Sequence, residues 1–453
     1  MTECNGQTVR FSSLNRQRVE GNWEGGQLAS DGGGVLLREV DRRLGLIAAI
    51  NGCIADPRDP SRVVHDQETL LRQRILGIAL GYEDLNDHTT LRTDPVMQLA
   101  SEQTVDEELP LGSAPTLCRL ENRVTREEAF AIQRVFVEEF ITSHETPPDE
   151  LVLDVDATDD PLHGNQEGRF FHGYYDHYCY LPLYVFCGEQ LLAAYLRPSK
   201  IDAAKHSWAI LSWLVRRFRE VWPDVRITIR ADSGFCRWRM LRWCDRHNVR
   251  YIIGLAKNAV LTRMGAPLAD QAKAAYDATG EKQRRFGECA YAAATWDRAR
   301  RVVVKAEHLS EGPNTRFVVT NRPGDAQALY DHVYCARGEM ENRIKEQQLD
   351  LFADRTSCHG FVANQFRLLL SSAAYVLVEA LRRLGLRETE FARAQAGTIR
   401  ERLFKIGVRV RSTVRRVVLY FASGYPWKAL FETVVAQLRP ARLEPSPAAI
   451  DTG

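Results

Sequence analysis

Apolar residues recur at intervals of three and four along "DQETLLRQRILGIALGY", Asp66 to Tyr82, and along "TREEAFAIQRVFVEEFI", Thr125 to Ile141. That spacing predicts two amphipathic helices. Asp66 stands at the N-cap of the first, and Thr125 with Glu128 three residues on forms a capping box for the second. Before them "GNWEGGQLASDGGGVLL" is rich in Gly and reads as turns. Residues 1–147 are therefore predicted to form a mainly helical N-terminal region, bounded by the polar, Pro-containing "SHETPPDE".

The period then changes to two. In "ELVLDVDA", Leu151, Leu153 and Val155 fall on one face, and Val152, Asp154 and Asp156 on the other. "YCYLPLYVFC" and "LLAAYLR" follow at hairpin spacing around Gly188. "SWAILSWLVRRFREVW" is an amphipathic helix, "VRITIRA" a strand that stops at Asp232, "RWRMLRWCDRHN" a helix and "VRYIIGLA" a strand. The order β-β-β-α-β-α-β predicts an α/β fold, a mixed sheet with helices on its faces. It is the strand order of a ribonuclease-H-like core, assigned to residues 148–258 and 317–386. Residues 259–316 are read as a β-rich insertion, from "RRFGECAYAAATW" and "RRVVVKAEHL". Then come the strand "TRFVVTN", a short charged helix, and a long apolar helix from about 360 to 386 that is expected to be buried. Residues 387–438 are read as a basic helical C-terminal region, and 439–453 as a disordered tail.

With 453 residues, 45% apolar and 26% charged, the chain can bury a large core. Sixty basic and 59 acidic residues give a net charge of +1, so no global basic excess argues for nucleic acid. The basic residues are instead concentrated locally, in "GTIRERLFKIGVRVRSTVRR", Gly397 to Arg416. The ten cysteines form no C-x-x-C pair, which argues against a zinc site and for a reducing compartment. No run of about 18 uncharged apolar residues and no apolar leader is seen, so neither a membrane span nor a signal peptide is expected, and a cytoplasmic location is.

The charged helix "YCARGEMENRIKE" carries Tyr334, Arg337, Glu341 and Lys345 at spacings of three, four and four, one stripe of an α-helix. A solvated face with two ion pairs would explain the same spacing, at about 0.3–0.5 kcal/mol per pair. The strand ends argue for more. Asp156 ends the first strand and Asp232 the fourth, and these are neighbours in the predicted sheet, with either Asp154 or Asp156 able to act as the first acid. Glu341 can reach the same edge. Three carboxylates together either rise in pKa or bind divalent metal. Hard oxygen donors suit Mg²⁺, and two ions about 3.5–4 Å apart can drive phosphoryl transfer. Arg337 and Lys345, one turn to either side of Glu341, would then hold phosphates, with Tyr334 stacking or hydrogen-bonding nearby. Lys257 and Asn258 follow a strand end near the same edge.

"DVDATDD", "IRADSGF" and "RGEMENRIKE" resemble the three acidic motifs of bacterial insertion-sequence transposases with a DDE domain, in order and with an insertion between the second and third acids. The chain is most similar to insertion-sequence family 1380 among the group-1 DDE transposases, from "RQRILGIALGYEDLNDHTTLR" to "TIRERLFKIGVRV". The resemblance implies a catalytic, metal-binding triad of Asp156, Asp232 and Glu341, with Asp156 favoured as first acid because Thr158 follows it shortly. It implies Mg²⁺, replaceable by Mn²⁺, in a two-ion site. It implies a homodimer on DNA ends that cuts at the terminal inverted repeats of its own element and joins 3′-hydroxyl ends to target DNA. The N-terminal region would bind DNA, as would Arg400, Lys405, Arg409, Arg411, Arg415 and Arg416. The family's third motif continues from Glu341 to a Lys, and here that position is Gln348. Lys345 could take over its phosphate contact. A nuclease of the same fold without joining activity and a transposase-derived DNA-binding protein are the competing readings. A carboxylate glycosidase fits less well, because Arg337 and Lys345 suit phosphate better than sugar.

Overall fold

The structure is a computed structural model that describes residues 8–106 and 108–439. The chain divides into two compact units. One holds the chain up to Val124, Asp350–Phe352 and the chain from Ala373; the other holds Thr125–Leu349 and Ala353–Ser372.

The second unit is built on an eight-stranded mixed sheet. Its elements are helix α1 (Arg126–Thr142), strands β1 (Glu150–Ala157), β2 (Leu183–Cys187) and β3 (Gln190–Tyr195), helix α2 (Ser207–Val221), strand β4 (Arg226–Ala231), helix α3 (Trp238–Arg246) and strand β5 (Arg250–Leu255). Helix α4 (Ala259–Thr279) and strands β6 (Gln283–Tyr291), β7 (Arg300–Leu309) and β8 (Gly312–Thr320) follow. The spatial order is β6-β7-β8-β5-β4-β1-β2-β3. β1, β4 and β5 run parallel, while β2 and β8 run antiparallel to their neighbours. The period-two pattern of β1 has the expected effect. Leu151, Leu153 and Val155 enter the core with Ile227 and Ile229 of β4, Leu214 and Phe218 of α2 and Leu241 of α3. Burying each such side chain is worth roughly 1.5–3 kcal/mol. Asp154 and Asp156 thereby face the other side, toward the helical run that carries Glu341.

Four features differ from the sequence reading. Helix α1, grouped above with the N-terminal region, belongs to the sheet unit because Val137 and Phe140 pack into its core. The run "YCYLPLYVFC" divides at Leu181–Pro182, where Pro breaks the ladder. Its first half, His177–Tyr180, joins a small separate sheet with Phe170–His172 and Asp160–Pro161. The 259–316 segment, read as a β-rich insertion, is not β throughout. It opens with the 21-residue helix α4, and β6, β7 and β8 extend the main sheet through β5. The helix continues through Gly265 and Pro267, and Gly265 lets it approach Phe317 and Val304. The basic C-terminal region is only partly helical. Val408–Thr413 and Arg416–Phe421 form a hairpin, followed by the helix Lys428–Leu438. Alternation was its signal: Val408 and Val410 are buried, while Arg409 and Arg411 are exposed.

The first unit is mainly helical, with Gly34–Leu44, Gln67–Leu80 and Ala114–Arg123 among its longer helices. Leu28–Ala29 pairs with the 408–413 strand to make a three-stranded sheet, and Ala29, Val96, Val105, Val408 and Val410 form a small core beneath it. The Gly-rich stretch turns as expected, at Gly32–Gly33, and makes a close backbone contact there. The amides of Gly32 and Gly33 donate to the Ile406 and Phe404 carbonyls at 2.9 and 3.1 Å. A Cβ on Gly33 would lie 1.7 Å from the Leu403 carbonyl oxygen. The helix from Phe361 is long and apolar enough to cross a membrane, but 89% of its most apolar window is buried inside the protein, as in a core helix. The tail predicted to be disordered lies, beyond Arg439, outside the described residues.

Candidate active site

β4 pairs with β1 in parallel register, with Ala231 opposite Val155. Asp156 and Asp232 are each the next residue, so both carboxylates stand at one end of adjacent strands. Asp232 caps the tight turn Ser233–Phe235, its Oδ1 accepting the Gly234 amide at 2.9 Å. The helical run from Ala326 to Asp350 changes pitch on the way. Leu329–Tyr334 is a wide π turn, Cys335–Arg337 a tight 3₁₀ turn and Gly338–Lys345 α-helix. Such irregular turns recur at functional sites. Here they aim Arg337 inward. Its Nη1 donates to Asp156 Oδ2 at 2.8 Å and its Nη2 to Glu341 Oε1 at 2.5 Å.

Arg337 is therefore not on a solvated face: its side chain is 19% exposed and that of Asp156 17%. Burial raises the Asp156 carboxyl to about 6, and Asp232 and Glu341 add to that rise, while Arg337 opposes it. Burial works against the charge of Arg337, yet Asp156 and Glu341 hold its pKa above the usual arginine value. The three acids are hard oxygen donors of the kind Mg²⁺ takes. Among the described residues no three Asp, Glu, His or Cys side chains are spaced to hold one ion. The donor chemistry fits a divalent cation; the present spacing is that of a pair of acids bridged by a guanidinium.

The raised pKa sets a pH dependence. A carboxyl whose folded pKa lies above its unfolded one is stabilising when protonated, so its contribution is greatest below about pH 4 and is lost as pH rises through about 6. Without divalent metal, Asp156→Asn should melt above wild type at pH 8, and the gap should close toward pH 4. Parallel melting curves across that range would contradict the assignment.

The other predicted residues divide. Asp154 is buried in a fork from Arg230, Nε to Oδ1 at 2.5 Å and Nη2 to Oδ2 at 2.6 Å, and the third guanidinium nitrogen reaches the Val333 carbonyl at 2.6 Å. Tyr334 is close to the acids. A Cβ on Gly254 of β5 would lie 2.6 Å from the Tyr334 hydroxyl and 2.8 Å from the Ser233 amide nitrogen. Gly254 thus leaves room for the phenol beside the Asp232 turn. An isolated Gly inside a strand was a readable signal for such an approach. Lys257 is exposed just past β5. Asn258 is a helix cap: its Oδ1 accepts the Leu261 amide at 3.0 Å and its Nδ2 donates to the Tyr291 hydroxyl at 3.0 Å. Lys345 is exposed. Gln348 donates at 3.0 Å to both the Asp159 carbonyl and Asp160 Oδ1, so it pins the loop that follows β1. Asp160 is fully buried there.

In the first unit, Arg400 is used internally, with its Nε on the Ala79 carbonyl at 3.1 Å and its Nη2 on the Asp350 carbonyl. Lys405 pairs with Asp31 at 2.6 Å and lies 4.4 Å from the centre of the Tyr82 ring. Arg409 lies over the Tyr420 ring, and Arg409, Arg411, Arg415 and Arg416 are all exposed on the hairpin.

No curated protein matches the chain. Among solved structures, the cryo-EM structure of the piggyBac transposase synaptic complex with hairpin DNA superposes with a TM-score of 0.42 at 11% identity, covering 92% of this chain and 83% of that one. The family model for the transposase DDE domain, group 1, matches residues 11–443. With acids at adjacent strand ends and a match that runs through nearly its whole length, the chain belongs to the group-1 DDE-domain transposases.

Proposed function

We propose that the protein is the transposase of an insertion sequence similar to family 1380. It would cut DNA at the terminal inverted repeats of its own element and join the 3′-hydroxyl ends to target DNA, working as a homodimer on those ends. The catalytic triad of this reading is Asp156, Asp232 and Glu341. The observation that carries it is the union of three distant segments: Asp156 ends β1 beside Asp232 at the end of parallel β4, and Arg337, one turn before Glu341, reaches Asp156. The order β3-β2-β1-β4-β5, with β1, β4 and β5 parallel, supports a ribonuclease-H-like core.

Two Mg²⁺ ions, when bound, would activate a hydroxyl nucleophile and stabilise the leaving oxygen. Asp156, Asp232 and Glu341 would hold them. Arg337 keeps the acids charge-balanced until DNA arrives and then turns its fork to two oxygens of the scissile phosphate. Tyr334 sits beside the Asp232 turn, in the space that Gly254 leaves. Incubating the protein and Mg²⁺ with a plasmid that carries its gene and flanking DNA should release the element by cleavage at both repeats. An intact plasmid would contradict the reading.

The hairpin supplies the phosphate contacts that Arg400 and Lys405, already engaged within the unit, do not. Each lost contact lowers the slope of log K against log salt by about 0.9 for duplex DNA. The triple variant Arg409→Ala, Arg411→Ala, Arg415→Ala should therefore bind with a slope about 2.7 smaller, three contacts at about 0.9 each. Arg400→Ala should leave the slope unchanged and lower the melting temperature. An unchanged slope in the triple variant would remove the hairpin from the DNA-binding surface.

A further inference from the structure

A groove of about 660 Å³ lies on the sheet unit between the start of α2 and the outer side of α3. It begins at Phe235, three residues past Asp232, so the chain bounds the Cα separation of the two at ~11 Å. Helix α3 buries Met240, Leu241 and Cys244 in the core. The remaining positions of "RWRMLRWCDR" put Trp238, Arg239, Arg242, Trp243 and Arg246 along the groove. Across it stand Lys205 and Trp208, and Trp208 is 52% exposed.

Three features argue for an occupant with both flat faces and negative charge. The Trp208 indole leaves apolar surface in water unless a ligand covers it, and Trp238 and Trp243 beside it are only partly buried. The guanidinium carbons of Arg239 and Arg242 lie 5.5 and 5.9 Å from the centre of the Trp238 ring, so cation and aromatic face are already arranged together. The one acid among the lining residues, Asp202, is neutralised by Arg237 at 2.5 Å, which leaves a net positive wall in a protein of net charge +1. Duplex DNA keeps its base faces stacked; an unpaired strand offers both faces and phosphates. Aromatic residues interleaved with basic ones are the common design for unpaired strands.

We propose that this groove holds an unpaired DNA strand beside the cut site, its bases on Trp238 and Trp208 and its phosphates on Arg239 and Arg242. The placement beside the cut site rests on the catalytic reading of Asp232; the strand-binding property does not. The test is the anisotropy of a fluorescein-labelled dT12 oligonucleotide titrated with the full chain, with a duplex of equal length as the second probe. Trp238→Ala and Trp208→Ala should each weaken dT12 about tenfold while duplex affinity moves less than twofold. Trp238→Phe, which keeps a stacking face, should bind dT12 close to wild type, and that guards against misfolding as the cause. Arg242→Ala should lower the salt slope for dT12 by about 0.7, the single-strand value. Wild-type dT12 affinity in both Trp→Ala variants, or equal losses for dT12 and duplex, would overturn the proposal. Asp232→Ala separates the two readings: it should bind dT12 as wild type does whether or not it cuts. If it cut normally, the catalytic reading would fail and the groove would stand.

Discussion

Asp156→Ala, Asp232→Ala and Glu341→Ala should each abolish DNA cleavage while DNA binding stays near wild type. Losing one carboxylate from a metal-dependent phosphoryl-transfer site removes several kcal/mol of transition-state stabilisation, and about 4 kcal/mol is a factor of about 10³ in rate. The binding surface proposed above is elsewhere, on the hairpin that holds Arg409 and Arg411. Asp154→Ala is the informative control. Its carboxylate is buried in a fork with Arg230, whose side chain is 10% exposed. Removing one partner of a buried pair costs about 3–5 kcal/mol, because the other charge is left unsolvated. Asp154→Ala should thus show as lost thermal stability, and Asp156→Ala as lost chemistry in a protein that still melts cooperatively. Cleavage at the wild-type rate by Glu341→Ala would remove the third acid from the assignment.

Arg337 carries the second large effect, and it has two signs. Its guanidinium bridges Asp156 and Glu341 at 2.8 and 2.5 Å, so it competes with any cation those acids would bind. Arg337→Ala should therefore bind Mn²⁺ more tightly than wild type, measured by calorimetry without DNA. It should nonetheless cleave about 10²-fold more slowly, because the developing charge on the phosphate loses its fork. Arg337→Lys keeps the charge and loses the bidentate geometry, so it should be slow as well. A merely structural ion pair would give a different pattern: lower melting temperature, unchanged metal affinity, and equal single-turnover rates for wild type and Arg337→Lys.

Much of the site was readable because the relevant signals are local. The alternation in "ELVLDVDA" sets which face of β1 is buried, and a strand that stops at Asp232 needs only its own pattern and the turn after it. What could not be read depends on long-range partners. Asp156 and Arg337 lie 181 residues apart, so the contact that takes Arg337 off the solvated face has no trace in the spacing of the charged helix. Asp154 sits on the face expected of it, but its pairing with Arg230 follows from strand register. Local signals also misled. The charge of "GVRVRSTVRR" drew attention from its alternation, which marks a hairpin. Arg400 and Lys405 looked like their basic neighbours, and only tertiary contacts with Ala79, Asp31 and Tyr82 separate them from Arg409 and Arg411.

The most direct measurement is a joining reaction. A duplex that ends in the element's terminal repeat, with its 3′-hydroxyl already exposed, is incubated with the full chain, Mg²⁺ and a supercoiled target plasmid. Wild type should attach the oligonucleotide covalently to the plasmid through its 3′ end, and Glu341→Ala should give no joined product. Nicked plasmid without attached oligonucleotide would make the protein a nuclease, and joining by Glu341→Ala would contradict the triad itself.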